Sequence, residues 1–264
     1  MNSDAELLAL AIDIAREAGE LARVRREAGV VIAATKSGLA DIVTEADREV
    51  EQLIRDRIAE ARHGDGFLGE ESEATEGTTG LTWVVDPIDG TVNYAYGVPA
   101  YAVSIAIVEG PPDPATWTAV AGVVHNPASG ELFHAARGSG AYLGKRRLAV
   151  LEEPDSSGAL VATGLSYEPD RRRQQFEVLG HVLPLARDIR RIGAASLDLA
   201  FVAAGRFDAY YEWGLRPWDM AAGSLLVSEA GGIVGGLDGA RAGRELLIAA
   251  SPAFYESLEA VLAG

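Results

Sequence analysis

Asp86 and Asp89 stand three residues apart in Trp83-Val-Val-Asp-Pro-Ile-Asp-Gly-Thr-Val-Asn-Tyr-Ala-Tyr-Gly97, between an apolar strand (Leu81 to Val85) and the start of a short helix at Gly90 and Thr91. Pro87 cannot donate a ladder hydrogen bond and biases Asp86 towards an extended backbone, so the strand is expected to stop there. A sharp turn would then bring both carboxylates round one point. Free N–H groups at a helix start attract anions, and Gly90 would let an anion approach the backbone. Paired carboxylates beside such a nest repel the anion they would serve. A divalent cation between them removes the conflict, and hard oxygen donors suit magnesium, which also binds phosphate. The residues alone leave a second reading open, because Asp-Pro-Ile-Asp-Gly is built of ordinary turn residues.

Around this stretch the chain must supply elements that position further carboxylates. Apolar residues at helical spacing (Leu7, Leu8, Ala11, Ile14, Ala15, Ala18, Leu21) predict a helix over 4–28, stopped by Gly29 and followed by a short strand, Val30 to Ala33. A polar loop from Lys36 leads into a second helix running to about Arg62. Thr44 with Asp47 three residues on resembles a capping box, which could by itself account for Asp47. Phe67 to Ser72 is an apolar segment ending in Glu70 and Glu71; adjacent acids in a strand face opposite ways, and such pairs are usually solvated. Residues 73–80 read as a mobile polar loop. Tyr101 to Val108, Ala119 to Val124, Glu131 to Ala135 and Ala141 to Val150 predict a mostly antiparallel sheet. The second half alternates: strands at Ala159 to Thr163, Asp188 to Ile192, Phe207 to Trp213 and Leu246 to Ala249, helices at Arg171 to Ala186, Leu197 to Ala204, Trp218 to Glu229 and after Ser251-Pro252. Asp219 falls at a helix start, and Gly193-Ala-Ala and Glu212 could frame a small ligand or simply be tight packing.

Composition narrows the classes. The 264 residues carry 48% hydrophobic and 23% charged side chains, those of a globular protein with a substantial core. No apolar run is long enough to span a membrane, and the first thirty residues are a charged amphipathic stretch, so a cytoplasmic location is expected. The absence of cysteine excludes disulfides and thiolate metal sites. A net charge of −16 argues against nucleic acid or an anionic membrane as partner. Lys36 and Lys145 are the only lysines, a bias towards arginine that fits a GC-rich bacterial genome. The four histidines (63, 125, 134, 181) form no close pair in sequence, and Ser72, Ser104 and Ser166 lack a nucleophile-elbow context, so nucleophilic serine chemistry is not expected.

Four segments in this order, Asp41-Ile-Val-Thr-Glu-Ala-Asp47, Gly69-Glu70-Glu71, Trp83 to Thr91 and Trp218-Asp-Met-Ala-Ala-Gly223, resemble the inositol monophosphatase family of magnesium-dependent, lithium-sensitive phosphatases. Arg191-Ile-Gly-Ala-Ala-Ser-Leu-Asp198 and Tyr210-Tyr-Glu212 are similar to its bacterial inositol-1-phosphatase branch. The resemblance implies an α+β or α/β fold, a layered α-β-α-β-α sandwich of two packed lobes (about 1–150 and 151–264) with the active site between them, in a homodimer. It implies two or three magnesium ions per site. Glu70, Asp86 and the Ile88 carbonyl would hold one, and Asp86, Asp89 and Asp219 a second. Gly90 and Thr91 would bind phosphate through backbone N–H groups, and Thr91 paired with Asp47 would position or deprotonate the attacking water. Asp89, Glu212 and the Ala195 backbone would contact hydroxyls of a small phosphorylated polyol. A phosphate monoester is inert enough that charge neutralisation and a nucleophile must be supplied together, which metal ions do. Rival substrates under the same metal site are adenosine 3′,5′-bisphosphate, fructose 1,6-bisphosphate and histidinol phosphate. A mainly regulatory, protein-binding role is the reading from a different class.

Overall fold

The computed structural model describes residues 3–30, 32–35, 42–154, 158–166 and 168–264. Helix α1 (Asp4–Ala28) begins with a capping box in which Ser3 and Glu6 satisfy each other's backbone N–H groups, and ends at Gly29. Strands β1 (Ile32–Thr35) and β2 (Ile42–Thr44) pair antiparallel, so the expected strand sits two residues later and part of the expected loop is extended. Lys36 and Asp41 lie outside the described residues. Helix α2 (Glu45–Ala61) starts at the Thr44–Asp47 capping box read from the sequence.

A seven-stranded sheet follows, in chain order: β3 (Gly66–Gly69), β4 (Leu81–Asp89), β5 (Ala102–Glu109), β6 (Thr118–Asn126), β7 (Glu131–Ala136), β8 (Gly140–Leu143) and β9 (Arg146–Arg147). Only β3 and β4 pair in parallel. Helix α3 (Thr91–Tyr96) joins β4 to β5. The 73–80 loop expected to be mobile is tied back: Phe67 and Thr75 exchange backbone hydrogen bonds of 2.9 and 2.8 Å, and Thr78 N–H reaches the Gly64 carbonyl at 2.6 Å.

The second sheet contains β10 (Ala159–Thr163), β11 (Ala186–Arg190), β12 (Ala209–Glu212), β13 (Ile233–Gly235) and β14 (Leu247–Ala250), in spatial order β11-β10-β12-β14-β13. Its helices are α4 (Pro169–Val182), α5 (Ala195–Ala203), α6 (Pro217–Glu229) and α7 (Pro252–Leu262). The edge strand β13, three residues long, was not expected from the sequence; Gly231 and Gly232 before it read as a helix end rather than a strand start.

Three apolar cores bind five layers, the α-β-α-β-α sandwich that was expected. One core joins α1 and α2 to one face of the large sheet through Ile14, Ile54, Trp83 and Ile105. A second holds α5 and α6 between the two sheets, with Val84, Val124, Leu199, Leu226 and Tyr210. The third joins the outer face of the small sheet to α4 and α7 through Val161, Val182, Ile248 and Leu258. Close approach sets the middle layer: a Cβ on Gly122 of β6 would stand 3.1 Å from the Ala222 Cα of α6. Helix α6 thus lies with its backbone almost on the sheet, its N-terminus beside the end of β4.

Candidate active site

Strand β4 does not stop at Asp86. It continues through Pro87 to Asp89, and its register against β5 slips between Asp86, opposite Ser104, and Asp89, opposite Ala102. Three steps on β4 match two on β5, which is a bulge. Pro87 sits in it, where no ladder donor is needed. The bulge decides the chemistry. Residues three apart in a regular strand face opposite sides, and one extra residue returns Asp89 to the side of Asp86. Both carboxylates then line one cavity of about 650 Å³, facing α5 and α6.

The remaining acids reach that cavity from separate elements. Glu70 follows the end of β3, Glu212 ends β12, and Asp219 lies in the first turn of α6, where its carboxylate accepts the Arg216 N–H at 2.6 Å. Ile88, Gly90, Thr91 and Ala195 line it too. Lining residues come from both 70–92 and 164–244, so neither sheet's portion of the chain forms the cavity alone. Gly90 has φ +89°, a left-handed value, and a side chain there would press on the Ala100 carbonyl at 3.0 Å.

Asp47 is outside the cavity lining but touches it through Thr91. One Asp47 oxygen accepts from Thr44 N–H (2.7 Å) and Thr44 Oγ1 (2.5 Å); the other faces Thr91 Oγ1 at 3.3 Å. The Thr91 hydroxyl also lies 3.1 Å from the Ile88 carbonyl. Capping and site roles therefore use different oxygens of one buried carboxylate. The Glu71 N–H donates to Glu51 Oε2 at 2.8 Å, and the Glu71 charge acts on Asp47.

Asp89 accepts from Ala195 N–H (3.2 Å), Ser196 N–H (2.7 Å) and Ser196 Oγ (2.5 Å), which fastens the end of β4 to the start of α5. The Ala195 backbone, expected to contact substrate hydroxyls, gives its N–H to Asp89. Ser196 was missed by sequence reasoning; a serine in the first turn of a helix was legible only as a helix-start signal. Tyr210, two residues before Glu212 on the same strand face, donates its hydroxyl to Glu212 Oε2 at 2.5 Å. Gly164 was missed as well. A Cβ there would stand 1.7 Å from Glu212 Oε2, so only glycine leaves room for that carboxylate. Gly164→Ala is expected to cost about 1–3 kcal/mol of stability by overpacking. It should also displace Glu212, read as a lower denaturant midpoint together with a raised KM.

Electrostatics point the same way at Asp86, Asp219, Asp89, Asp47 and Glu212. Burial pushes the Asp86 carboxyl well above the usual range, and Glu70, Asp89, Asp219 and Asp47 push it further. Burial also raises Asp219, with Asp89 adding to the rise and the Arg216 N–H opposing it. Burial raises Asp89 against the pull of its Ser196 and Ala195 donors. Asp47 is raised by burial to about 6, and Glu212 by burial to about 7, the latter opposed by the Tyr210 hydroxyl and the Arg191 charge. Asp198 on α5, buried with one oxygen unpartnered, is raised by burial and by Glu212.

Asp86, Asp89, Asp219 and Glu70 are hard oxygen donors, and the charges of the other three all act against that of Asp86. A divalent cation fits that donor set in type and charge. No group of three acidic or histidine side chains among the described residues is arranged to hold an ion as it stands, so the fit is one of donor chemistry and not of ready-made coordination. His125 and His134 bind backbone carbonyls of Glu131 and Gly144 away from this cavity.

The model of the inositol monophosphatase family matches residues 3–263. The inositol-1-monophosphatase SuhB of Mycobacterium tuberculosis is 43% identical, over 99% of this chain and 94% of that protein. The Nus factor SuhB of Escherichia coli is 40% identical, over 88% of this chain and 86% of its own. Among solved structures, the extragenic suppressor protein SuhB of Bartonella henselae superposes with a TM-score of 0.89 at 37% identity, covering 97% of this chain and 98% of that one.

Proposed function

We propose, for a chain that belongs to the inositol monophosphatase family and is a phosphatase, the magnesium-dependent hydrolysis of myo-inositol 1-phosphate, or a related small polyol monophosphate, to the free polyol and phosphate. The observation that carries this reading is the carboxylate cluster at the β4 bulge: Asp86 is buried against Glu70, Asp89 and Asp219, whose charges all oppose its own, and a bound cation would offset that repulsion. In this reading Glu70, Asp86 and the Ile88 carbonyl hold one magnesium, and Asp86, Asp89 and Asp219 a second, with two or three ions per site. The Ile88 carbonyl has two lone pairs, and with the single Thr91 hydroxyl proton directed to Asp47 it is left able to accept a cation. Magnesium, when bound, neutralises phosphate charge and acidifies water.

The chain's own groups do the rest. The backbone N–H groups of Gly90 and Thr91 face the phosphate, where the glycine leaves the approach unobstructed. Thr91 Oγ1 orients the attacking water and relays its proton to Asp47, whose raised value near 6 makes it a better acceptor than an ordinary aspartate. Glu212, held by Tyr210 and Gly164, receives hydroxyls of the polyol, with Asp89 and Ala195 beside it.

Phosphate release from myo-inositol 1-phosphate, with and without magnesium, tests the assignment against adenosine 3′,5′-bisphosphate, fructose 1,6-bisphosphate and histidinol phosphate. Magnesium-dependent turnover of the inositol ester is expected. Turnover of the adenosine or histidinol ester alone would keep the carboxylate site and discard the polyol. A second reading has a specific motive: the E. coli relative is named a Nus factor. A regulatory role would here favour a basic protein over RNA, given the net charge of −16. A cellular phenotype unchanged by Asp86→Asn would separate that role from catalysis.

A further inference from the structure

One face of α2 carries Asp47, Glu51 and Arg55, four residues apart and so one turn above another. Asp47 serves the helix cap and Thr91. The other two reach the chain just beyond Glu70. Glu51 Oε2 accepts the Glu71 N–H at 2.8 Å. Arg55 donates to Ser72 Oγ at 2.6 Å, the Glu73 carbonyl at 2.7 Å and Thr75 Oγ1 at 2.9 Å. Its guanidinium lies 4.1 Å from the Phe67 ring centroid. Glu51 is the costly member of this face. It is 2% exposed, and among the described residues it forms no ion pair and has the Glu71 N–H as its one hydrogen-bond donor. Burying a carboxylate without a cationic partner opposes folding. Room is nevertheless kept for it: a Cβ on Gly69 would collide with Oε2 and stand 2.6 Å from Cδ.

The bond that Glu51 makes acts on Glu70. The Glu71 N–H belongs to the Glu70–Glu71 peptide unit, a rigid plane that includes the Glu70 Cα. Pairing of β3 with β4 ends at Gly69 opposite Val85, so Glu70 lies one residue beyond the ladder, in a bend. The ladder fixes the backbone before Glu70, and the Glu51 bond fixes the plane after it. Together they set the direction of the Glu70 Cβ. The other acids of the cluster stand on regular elements: Asp86 and Asp89 on β4, Asp219 in the first turn of α6. Glu70 alone among the four comes from a bend, and Glu51 and Arg55 tie that bend to α2.

We propose that Glu51 is a positioning residue for the carboxylate cluster, holding Glu70 towards Asp86 so that the two share a cation. This rests on the magnesium-dependent reading above. Glu51 works through its hydrogen bond and not through its charge, since the charges that act on Asp86 are those of Glu70, Asp89, Asp219 and Asp47. Any acceptor of the same length therefore serves, and an apolar side chain of the same volume does not. Groups that orient the ligands of a metal are worth about 10- to 100-fold in its affinity. The effect belongs in cation binding first and in turnover only as a consequence.

Magnesium titrations of the wild type, Glu51→Gln and Glu51→Met provide the test, read by calorimetry without substrate and by phosphate release from myo-inositol 1-phosphate. Glu51→Met removes the acceptor and should raise the magnesium concentration at half-saturation about 10- to 100-fold. Saturating magnesium should return its kcat to within about threefold of wild type, with KM for the ester little changed. Glu51→Gln keeps a carbonyl acceptor and should stay within about threefold of wild type at every magnesium concentration. A purely structural role would lower the melting temperature in chelator and leave the magnesium midpoint where it is, which would overturn the proposal. Equal losses in Glu51→Gln and Glu51→Met would overturn it too, by assigning the effect to charge. Should Glu51→Met not fold, Gly69→Ala decides, because its Cβ displaces the Glu51 carboxylate. A raised midpoint there supports the proposal and an unchanged one overturns it. Magnesium binding with the expected shifts but no hydrolysis of the ester would discard the substrate assignment and keep the positioning role. No magnesium binding by the wild type would discard both.

Discussion

Asp86→Asn should abolish magnesium-dependent turnover and at the same time raise the melting temperature of the metal-free protein. Both halves come from one feature. Asp86 is 2% exposed and surrounded by Glu70, Asp89, Asp219 and Asp47, all of the same sign. Without a cation its ionised form is a cost to the fold, since burial and repulsion both oppose the charge. An amide of the same shape removes the charge and keeps a carbonyl for the Ile88 N–H, now 3.1 Å from Oδ1. The metal-free variant should therefore melt several degrees above the wild type at neutral pH. With magnesium the order reverses. A ligand at a hundred times its Kd adds about 2.7 kcal/mol, roughly 5–10 °C for a chain of this size, and the variant should gain almost none of it. Loss of one shared charged donor should lower kcat by about 10³-fold or more, several kcal/mol of transition-state stabilisation. Melting curves in chelator and in magnesium, with phosphate release alongside, decide the matter. A variant that melts lower in chelator would make Asp86 a structural group, and one that still turns over would remove it from the metal shell.

The bulge that aims Asp86 also marks how far the sequence could be read. The alternation of Val84 and Val85 between two cores, the capping box at Thr44 and the stop at Gly29 are local signals, set by side-chain period and backbone preference, and were legible. Pro87 was legible as an interruption but not as a bulge, because whether a strand resumes after a proline depends on the partner strand, here Ala102 and Ser104 of β5. Gly164 carries no pattern of its own and matters because Glu212 is folded against it from another part of the chain, while Tyr210 was legible only as part of Tyr210-Tyr-Glu212 and not as the donor to Glu212. The acids that share the cavity could be named before the structure because their segments keep a recognisable order, but nothing in their spacing predicted that Asp89 would bind the start of α5. That pairing spans 107 residues and exists only once two sheets are stacked. Local chemistry was thus readable, and the long-range contacts that orient it were not.

Thr91→Ala and Asp47→Asn should each lower kcat by about 10²- to 10³-fold with KM little changed, and neither should compound the other fully. The two residues share one hydrogen bond, Thr91 Oγ1 to Asp47 Oδ1, and a relay broken at either end is already broken. Asparagine is the informative substitution at Asp47. Its carbonyl can still accept from Thr44 and close α2, so the fold keeps its cap while the site loses its proton acceptor. Alanine would lose both and cost about 1–2 kcal/mol in stability besides. The pH profile separates the roles further. Burial holds the Asp47 carboxyl at about 6, above an ordinary aspartate, and the relay needs it ionised. Turnover in the wild type should therefore fall as pH drops through about 6, and the residual activity of Asp47→Asn should lack that limb. Stability moves the opposite way: a carboxyl raised on folding binds more protons in the folded than in the unfolded state, so between about pH 4 and 6 its contribution declines as pH rises. Activity that rises over the same interval in which this stabilisation is lost identifies a group placed for proton transfer at the expense of the fold. An acid limb unaltered in Asp47→Asn would assign the proton acceptor to another carboxylate of the cluster and leave Asp47 as a cap alone.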